Sequence, residues 1–160
     1  MGPGEEFPAL GPGADFVTVG GGRREAVLAA LDQVEGEHVV LHDASRPFAT
    51  GDLVRSVLGA LGSADAAIAA VPVKETLKLV EGDRVAETIA RDHLWHPQTP
   101  QAYKTIVLRR ALEDAGDDAT EAEAVRDAGG DIVLVPGSSK NIRITSIDDL
   151  KLAEAIARAR

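Results

Sequence analysis

Residues 39–47 form the stretch whose residue types and spacing best suit chemistry. The apolar run at 39–41 predicts a short strand covered on both faces, and Asp43 and Arg46 follow it directly. Ligands of open α/β sheets bind outside the carboxyl ends of the strands, so this acid and guanidinium group are well placed for a charged ligand. Pro47 prevents the strand from continuing. A simpler interpretation, in which Asp43 caps a turn and Arg46 pairs with it at the surface, fits the local sequence equally well.

A second candidate is the run of three glycines at 20–22, which Arg23 and Arg24 follow. The spacing of the next apolar residues predicts a helix with one buried face. A glycine turn that opens a helix can bind phosphate on its free backbone N–H groups, and arginines beside it would strengthen that binding. A triple glycine alone also fits a tight turn from strand to helix, so both interpretations stay open.

His93 and His96 stand three residues apart beside Asp92, and these residue types could form a metal site. They precede Pro97 in a segment predicted as loop or strand, where this spacing does not converge on one ion as it could on a helix. The sequence therefore does not favour a histidine-bound metal. It predicts that Trp95 packs in the core or in an interface.

The chain has 160 residues, 44% of them hydrophobic, which suits one folded domain with a single core. Its net charge of -9 disfavours non-specific binding to nucleic acid or to anionic membranes. The absence of cysteine excludes disulfides, a thiolate nucleophile and a zinc-thiolate site. Neither a signal peptide nor an apolar run of membrane-spanning length is present, so we expect a soluble, cytoplasmic protein.

Alternating strands and helices predict an α/β fold. Residues 66–73 form a second apolar run, predicted as a buried strand parallel to the first, and the helix between them makes a βαβ unit. Thr50 is the expected N-cap of that helix. The other expected features are a loop at 1–14, a strand at 16–19, a rigid turn at 99–101, helices at 105–115 and near 117–129, a strand at 132–135, and a last helix capped by Ser146 and Asp149 with Leu150, Ala153, Ile156 and Ala157 inward.

The segment 74–91 interrupts this alternation. Residues 76–80 and 84–89 alternate polar with apolar side chains around Glu81, Gly82 and Asp83, which predicts a hairpin. Such a hairpin adds little to a parallel sheet and is expected to project as an arm. An apolar face on a projecting arm stays exposed unless a partner covers it, so we predict a homodimer through residues 74–91.

Residues 141–145 alternate polar with apolar side chains in a second place. This alternation predicts an extended segment in which Asn141, Arg143 and Thr145 share one face. No Gly-x-Ser-x-Gly elbow occurs in the chain, so nothing supports a serine hydrolase.

Taken together, these landmarks resemble the 2-C-methyl-D-erythritol 4-phosphate cytidylyltransferases of the non-mevalonate isoprenoid pathway. The resemblance extends from about residue 16 to the C-terminus, and the order and spacing of its short motifs make it specific. Ribitol-5-phosphate cytidylyltransferases share much of the pattern and are the nearest alternative. The motifs are Gly20-Gly21-Gly22-Arg23, His42-Asp43-Ala44-Ser45-Arg46-Pro47, Pro72-Val73-Lys74-Glu75-Thr76-Leu77-Lys78, Arg91 with Leu94-Trp95, Gln98-Thr99-Pro100-Gln101, and Asn141-Ile142-Arg143-Ile144-Thr145.

The resemblance implies a Rossmann-like nucleotidyltransferase in which the substrate phosphate attacks the α-phosphorus of CTP and pyrophosphate leaves. Such a reaction needs charge neutralisation and in-line positioning more than a covalent nucleophile. By resemblance Asp43 helps to hold Mg²⁺, which prefers oxygen ligands. The implied catalytic residues are Asp43, Arg46, Arg143 and Arg91.

The resemblance also assigns residues that bind the substrates. Those implied for the nucleotide are Gly20, Gly21 and Arg23, and those implied for the sugar-alcohol phosphate are Ala44, Thr76 and Thr99. Arg91 and Thr76 lie on the arm and would reach the sugar phosphate in the neighbouring subunit, which makes the dimer part of the site. A guanidinium group binds phosphate in a bidentate manner, which suits Arg91 to this role.

Three departures from the family pattern stand out. Ala26 replaces a serine that commonly contacts the nucleotide, and Arg143 replaces a lysine, keeping the charge but changing its geometry. Residues 119–121 differ from the usual Thr-Asp-Glu, so no role is transferred to them.

The largest departure concerns the front of the fold. Family members begin with a strand, a Gly-rich loop with cations for the triphosphate, a helix and a second strand, and these features are not found before residue 16. We therefore expect an N-terminally incomplete sheet, with an unpaired edge beside residues 39–41 and a low cytidylyltransferase activity of the 160-residue polypeptide alone. The alternative to an enzyme is a non-catalytic binding or assembly module that keeps the arm and part of the pocket.

Overall fold

The computed structural model describes residue 15 and residues 17–159. Within them a mixed four-stranded sheet has the order β1-β5-β2-β6, and β3 and β4 form a separate two-stranded sheet. The strands are β1 (His38–Leu41), β2 (Ala66–Pro72), β3 (Leu77–Glu81), β4 (Arg84–Ile89), β5 (Trp95–Lys104) and β6 (Ile132–Pro136). The helices are α1 (Arg23–Leu31), α2 (Gly51–Ala60), α3 (Thr105–Asp114), α4 (Glu121–Asp127) and α5 (Ile147–Arg158).

Strand direction brings particular segments to one edge of the sheet. Strand β5 is antiparallel to both β1 and β2, while β6 is parallel to β2. The strands β1, β2 and β6 therefore run in the same direction, and their carboxyl ends meet at the edge where β5 begins. The segments that follow β1 and β6, at 42–46 and 137–143, start at this edge.

The core lies on both faces of the sheet because neighbouring residues of a strand point to opposite sides. Ala66 of β2 packs with Leu108 and Val125 from α3 and α4. Its neighbour Ala67 packs on the other face with Val57 and Leu61 near α2. A strand covered on both faces must be apolar throughout, which explains why β2 reads as a continuous apolar run.

Local signals correctly predicted the starts of α2 and α5, whereas α4 begins at Glu121 and not near residue 117. Thr50 caps α2, and its hydroxyl accepts a hydrogen bond from Leu53 N at 3.2 Å. Ser146 and Asp149 form the predicted capping box of α5. These contacts satisfy backbone N–H groups that have no partner inside the helix.

The predicted hairpin is confirmed as β3 and β4, joined by Gly82 and Asp83. Gly82 has a φ of 63°, a left-handed conformation that glycine adopts without steric cost. The arm exposes apolar side chains, since Val80 is 57% and Val85 62% accessible.

The prediction of a turn at 99–101 is wrong, because these residues belong to the ten-residue strand β5. The register of β2 against β5 shifts between Ile68, opposite Gln101, and Ala70, opposite Pro97. Pro97 and Pro100 have no N–H to donate, so in sequence they look like the end of a strand. Here they sit on either side of an irregularity in the middle of a sheet. Strand β5 also separates β1 from β2, so the two strands of the predicted βαβ unit are not neighbours.

Other predictions were wrong in smaller ways. Residues 17–19 form no strand, while residues 1–14, Phe16 and Arg160 lie outside the described residues. Residues 141–145 are not a strand either, and Asn141 is fully buried whereas Arg143 is exposed. On α5 only Ala153 is buried, and Leu150, predicted to face inward, is 49% accessible.

Within the described part of the chain β1 pairs with β5 alone, so its other edge has no strand neighbour, as predicted.

Candidate active site

A cavity of about 330 Å³ lies at the sheet edge where β1 and β6 end. It combines three arginines with two carboxylates, and it draws residues from segments that are far apart in the sequence. Asp43, Arg46, Thr99 and Arg143, which the sequence singles out, all line it. The full lining is Arg23, Asp43, Arg46, Pro97, Gln98, Thr99, Gln101, Thr120, Glu121, Ala122 and Arg143.

The loop after β1 is held in place by Thr99. The Thr99 hydroxyl accepts a hydrogen bond from Asp43 N at 3.0 Å and lies 3.1 Å from His42 Nδ1. His42 Nε2 is in turn 3.0 Å from the carbonyl oxygen of Arg46. These contacts are all satisfied when Thr99 donates to Nδ1 and the protonated Nε2 of a neutral imidazole donates to Arg46. His42 therefore fixes the loop that carries Asp43 and Arg46.

Thr99 reaches this loop because β5 is irregular at that point. Gln98, Thr99 and Pro100 lie between the two registers with which β2 and β5 pair. Bulges next to active sites redirect side chains in this way. The irregularity of β5, which made this strand hard to predict from the sequence, therefore directs Thr99 toward Asp43.

Arg46 is partly buried and feels the negative charge of Asp43 and the positive charge of Arg143. Its Nη1 donates to the carbonyl oxygen of Asn141 at 2.8 Å. Burial lowers the pKa of Arg46, Asp43 opposes that change, and the positive charge of Arg143 adds to it. Within the described residues its buried Nε has no hydrogen-bond partner.

A buried amide network joins β5 to the segment after β6. Asn141 Nδ2 donates to the carbonyl oxygen of Thr99 at 2.8 Å. Gln98 Nε2 donates to Ser138 O at 2.9 Å, and Gln98 Oε1 accepts from Ser138 N at 3.2 Å. Gly137 leaves the space for this contact, since a Cβ there would lie 2.4 Å from Gln98 Oε1. The network holds the carbonyl group of Asn141 where Arg46 binds it.

Arg23 bridges the two carboxylates of the cavity. Its Nε donates to Glu121 Oε1 at 2.7 Å, and its Nη1 lies 3.4 Å from Asp43 Oδ1. The hydrogen bond to Glu121 is the main cause of the raised pKa of Arg23, with further contributions from the charges of both carboxylates. Glu121 is only 5% accessible.

Of the other predicted residues, Arg143 lies at the cavity rim, with its Nε 3.4 Å from Ser45 Oγ. Arg91 donates from Nη1 to the carbonyl oxygen of Lys74 on the arm, and neither it nor Thr76 lines the cavity. The exposed residues Gly20, Gly21 and Ala44 do not line it either. Their assigned roles in binding remain predictions.

Sequence reasoning gave no role to Gln98, Asn141 or Glu121, although each supports the site. All three are buried polar residues. Gln98 and Asn141 lie inside two of the motifs that carry the family resemblance, and Glu121 opens α4. No local pattern distinguishes a buried amide from an exposed one, so burial was the missing signal.

Asp43 is a suitable ligand for Mg²⁺. This ion is commonly bound by one or two carboxylates together with substrate phosphates and water, so a single aspartate at the mouth of a charged cavity fits it. His42 is already engaged by Thr99 and Arg46. Within the described residues no group of three His, Cys, Asp or Glu side chains could hold a metal ion, and His93 and His96 are exposed.

The α/β sheet and the charged cavity at its strand ends define a Rossmann-like nucleotidyltransferase fold. The crystal structure of 2-C-methyl-D-erythritol 4-phosphate cytidylyltransferase from Thermus thermophilus superposes with a TM-score of 0.88 at 35% identity, covering 99% of this chain and 80% of that one. The crystal structure of the Francisella tularensis protein of the same name gives a TM-score of 0.74 at 32% identity, covering 84% and 67%.

Sequence comparison agrees with the fold. The family model described as "IspD: 2-C-methyl-D-erythritol 4-phosphate cytidylyltransferase" matches residues 5–159, and the chain belongs to this family. A relative of that name from Bacillus velezensis is 42% identical over 153 residues, or 91% of this chain and 65% of the relative. One from Rubrobacter xylanophilus is 44% identical over 141 residues, or 83% and 60%. The chain thus spans less than two thirds of the length of these relatives.

No helix in the described part of the chain has the length and apolar character needed to cross a membrane.

Proposed function

We propose that this chain takes part in the transfer of a cytidylyl group from CTP to 2-C-methyl-D-erythritol 4-phosphate, a step in isoprenoid precursor synthesis. The observation that carries the proposal is the shared cavity of Asp43, Arg46, Thr99 and Arg143, in a chain of this family. These residues come from three separate segments, and the cavity that they form combines both signs of charge.

The proposed reaction is a displacement at phosphorus. An oxygen of the substrate phosphate forms a bond to the α-phosphorus of CTP, the bond from the α-phosphorus to the bridging oxygen breaks, and pyrophosphate leaves with that oxygen. Negative charge accumulates on the phosphoryl oxygens and on the leaving group. The guanidinium groups of Arg46 and Arg143 stabilise this charge, and both lie in place before the substrates bind.

Asp43 is the residue that would hold Mg²⁺. When bound, the ion neutralises triphosphate charge and orients the phosphates for attack. Thr99 and His42 keep Asp43 at the mouth of the cavity. Thr99, Ala44 and Arg143 are assigned to the sugar-alcohol phosphate, and Gly20, Gly21 and Arg23 to the nucleotide.

Pyrophosphate release tests the function. The protein is held in excess over labelled CTP, with Mg²⁺ and methylerythritol phosphate, so that a single turnover is detected even if the rate is low. We expect release that requires both substrates and is slower with ribitol 5-phosphate. Release that does not depend on the sugar phosphate, or that is faster with ribitol 5-phosphate, would contradict the proposed substrate. No release together with no binding of CTP would favour a non-catalytic module.

We further propose that the arm forms a homodimer and brings Arg91 and Thr76 to the neighbouring subunit's site. Val80 and Val85 are directly paired across the hairpin and both are largely exposed. Exposed apolar side chains on a projecting hairpin are stabilised when a second copy covers them.

The dimer is tested by sedimentation velocity. We expect a dimer for the parent chain and a monomer for Val85→Glu, because the introduced carboxylate would be buried in the interface. Asp83→Asn in the turn of the hairpin changes charge without touching the apolar side chains and should stay dimeric. A monomeric parent chain, or a dimer that persists in Val85→Glu, would contradict an interface through the arm.

A further inference from the structure

Glu121 is a buried carboxylate in the same cavity as Asp43, the candidate metal ligand, and the mechanism above gives it no task. Its side chain is 7% accessible, and both of its oxygens face Arg23. The contacts are 2.7 Å from Arg23 Nε to Oε1 and 3.4 Å from Nη2 to Oε2. A buried carboxylate needs such a partner because desolvation would otherwise favour its neutral form.

Arg23 is shared unequally between two carboxylates. Glu121 engages one side of the guanidinium through Nε and Nη2, whereas Asp43 has a single contact to Nη1 at 3.4 Å. A two-point contact fixes the plane of a guanidinium group, and a single long contact does not. Glu121 therefore sets the position of Arg23, and Asp43 receives only the remaining N–H group.

Glu121 is itself held rigidly. It is the first residue of α4. Thr120 before it and Glu123 after it form the capping box of this helix. Thr120 Oγ1 accepts from Glu123 N at 3.3 Å, and Glu123 Oε2 accepts from Thr120 N at 2.9 Å. Ala124 and Val125 anchor the helix in the core. The carboxylate thus belongs to a fixed element and not to a loop that could follow Arg23.

Asp43 lies among three cations, Arg23, Arg46 and Arg143, all of which line the same cavity. Any of them that closes onto the Asp43 carboxylate competes with a metal ion for its oxygens. Arg46 is engaged by the carbonyl group of Asn141, and Arg143 lies near Ser45. Arg23 is the one that the structure places within 4 Å of an Asp43 oxygen as an ion pair.

We propose that Glu121 is a positioning residue that holds Arg23 back from Asp43 and so keeps the Asp43 carboxylate available for a divalent cation. This inference rests on the proposed function, because it assumes that Asp43 is the residue that binds the cation. Without Glu121, Asp43 is the carboxylate left to Arg23 in the cavity, and the guanidinium group closes onto it.

The first test is structural and needs no metal. In a crystal structure of Glu121→Gln, which keeps the shape of the side chain, we expect Arg23 to move toward Asp43 and to shorten the contact of 3.4 Å to an ordinary ion-pair distance of about 2.8 Å. An unmoved Arg23, or one that turns into solvent, would overturn the proposal. Glu121→Asp, which retains the charge but withdraws it by one methylene group, should show the same movement.

The second test measures cation binding. Mn²⁺ is added to the ¹⁵N-labelled protein without nucleotide, and its affinity is read from the paramagnetic broadening of the amide signals of residues 43–46. We expect Glu121→Gln and Glu121→Asp to weaken binding by about threefold to fivefold, the range of one partly exposed ion pair. Arg23→Gln should tighten binding, and adding Glu121→Gln to it should have little further effect.

The outcomes separate positioning from a simple field effect. If Glu121 acted only through its negative charge, Glu121→Asp would bind Mn²⁺ as the parent does, and this result would overturn the proposal. Asp127→Asn, an exposed acid on the same helix, should leave Mn²⁺ binding unchanged. If broadening persists in Asp43→Asn, the metal role of Asp43 in the proposed function fails, and the crystal structure of Glu121→Gln then decides the positioning of Arg23 by itself.

Discussion

Replacing Asp43 by asparagine should lower the single-turnover rate of pyrophosphate release by about 100-fold or more, the usual cost of losing a group that stabilises charge in a transition state. The substitution removes the carboxylate proposed to hold Mg²⁺ and leaves three arginines to surround a neutral amide. The loop itself should stay in place, because the hydrogen bond to Thr99 comes from the backbone N–H of residue 43. A loss of rate would therefore report on charge rather than on misfolding.

The matched control for Asp43→Asn is Asp127→Asn, which makes the same chemical change at an exposed position near the end of α4. Its rate should equal that of the parent chain. Thermal unfolding of both variants, measured beside the rates, checks that each is folded. A rate for Asp43→Asn within about threefold of the parent rate would mean that Asp43 only caps the turn after β1, which is the simpler interpretation of the sequence.

Replacing Asn141 by aspartate should lower the free energy of unfolding at pH 7 by about 3 kcal/mol, because it places an uncompensated charge in the interior. Asn141 is fully buried, and its Nδ2 donates to Thr99 O at 2.8 Å. A carboxylate cannot donate, so two oxygens would face each other. Gln98 cannot relieve this by turning its amide, since Ser138 fixes both of its ends.

The same variant should show a definite pH dependence. Burial raises the pKa of the introduced carboxyl group in the folded state above its unfolded value of about 3.9. The neutral acid can donate to Thr99 O, so the loss relative to the parent is smallest below about pH 4 and grows as the pH rises toward the folded pKa, by about 1.4 kcal/mol per unit. Urea unfolding of both proteins at pH 4 and pH 7 measures this difference.

Two further variants test the physical reason for this loss. Asn141→Ala removes the amide without adding charge, so we expect a loss of about 1–2 kcal/mol that is independent of pH. Ser139→Asp adds the same charge at an exposed position nearby and should change stability by less than about 0.5 kcal/mol. A loss in Asn141→Asp that is equal at both pH values would contradict the buried-charge explanation.

Some elements were predictable because their causes are local. A glycine and an aspartate between two alternating segments are enough to define the arm, and a serine with an aspartate three residues later is enough to begin α5. The turn of the arm pairs Glu81 with Arg84, and the cap of α5 joins Ser146 to Asp149, so in each case the two partners lie three positions apart within one short stretch of sequence.

Strand β5 was not predictable in this way. Its two prolines remove N–H groups from the ladder, and its polar residues at 98, 99 and 101 break the apolar pattern of a buried strand. The strand exists because β1 and β2 pair with it on both sides and because Gln98 and Thr99 find hydrogen-bond partners 40 or more positions away. Pairing across the sheet outweighed local preference.

The sequence by itself determined the composition of the site: an acid and an arginine after a buried strand, an arginine in the segment before the last helix, and a run of motifs specific enough to indicate the family. Only the tertiary structure decided which residues hold that site together. Thr99 reaches Asp43 across 56 positions of sequence, and Arg23 reaches Glu121 across 98. The types and spacing of the residues indicate which groups can react. The burial of these residues and the distances between remote segments are set only when the sheet has formed and its strands lie side by side.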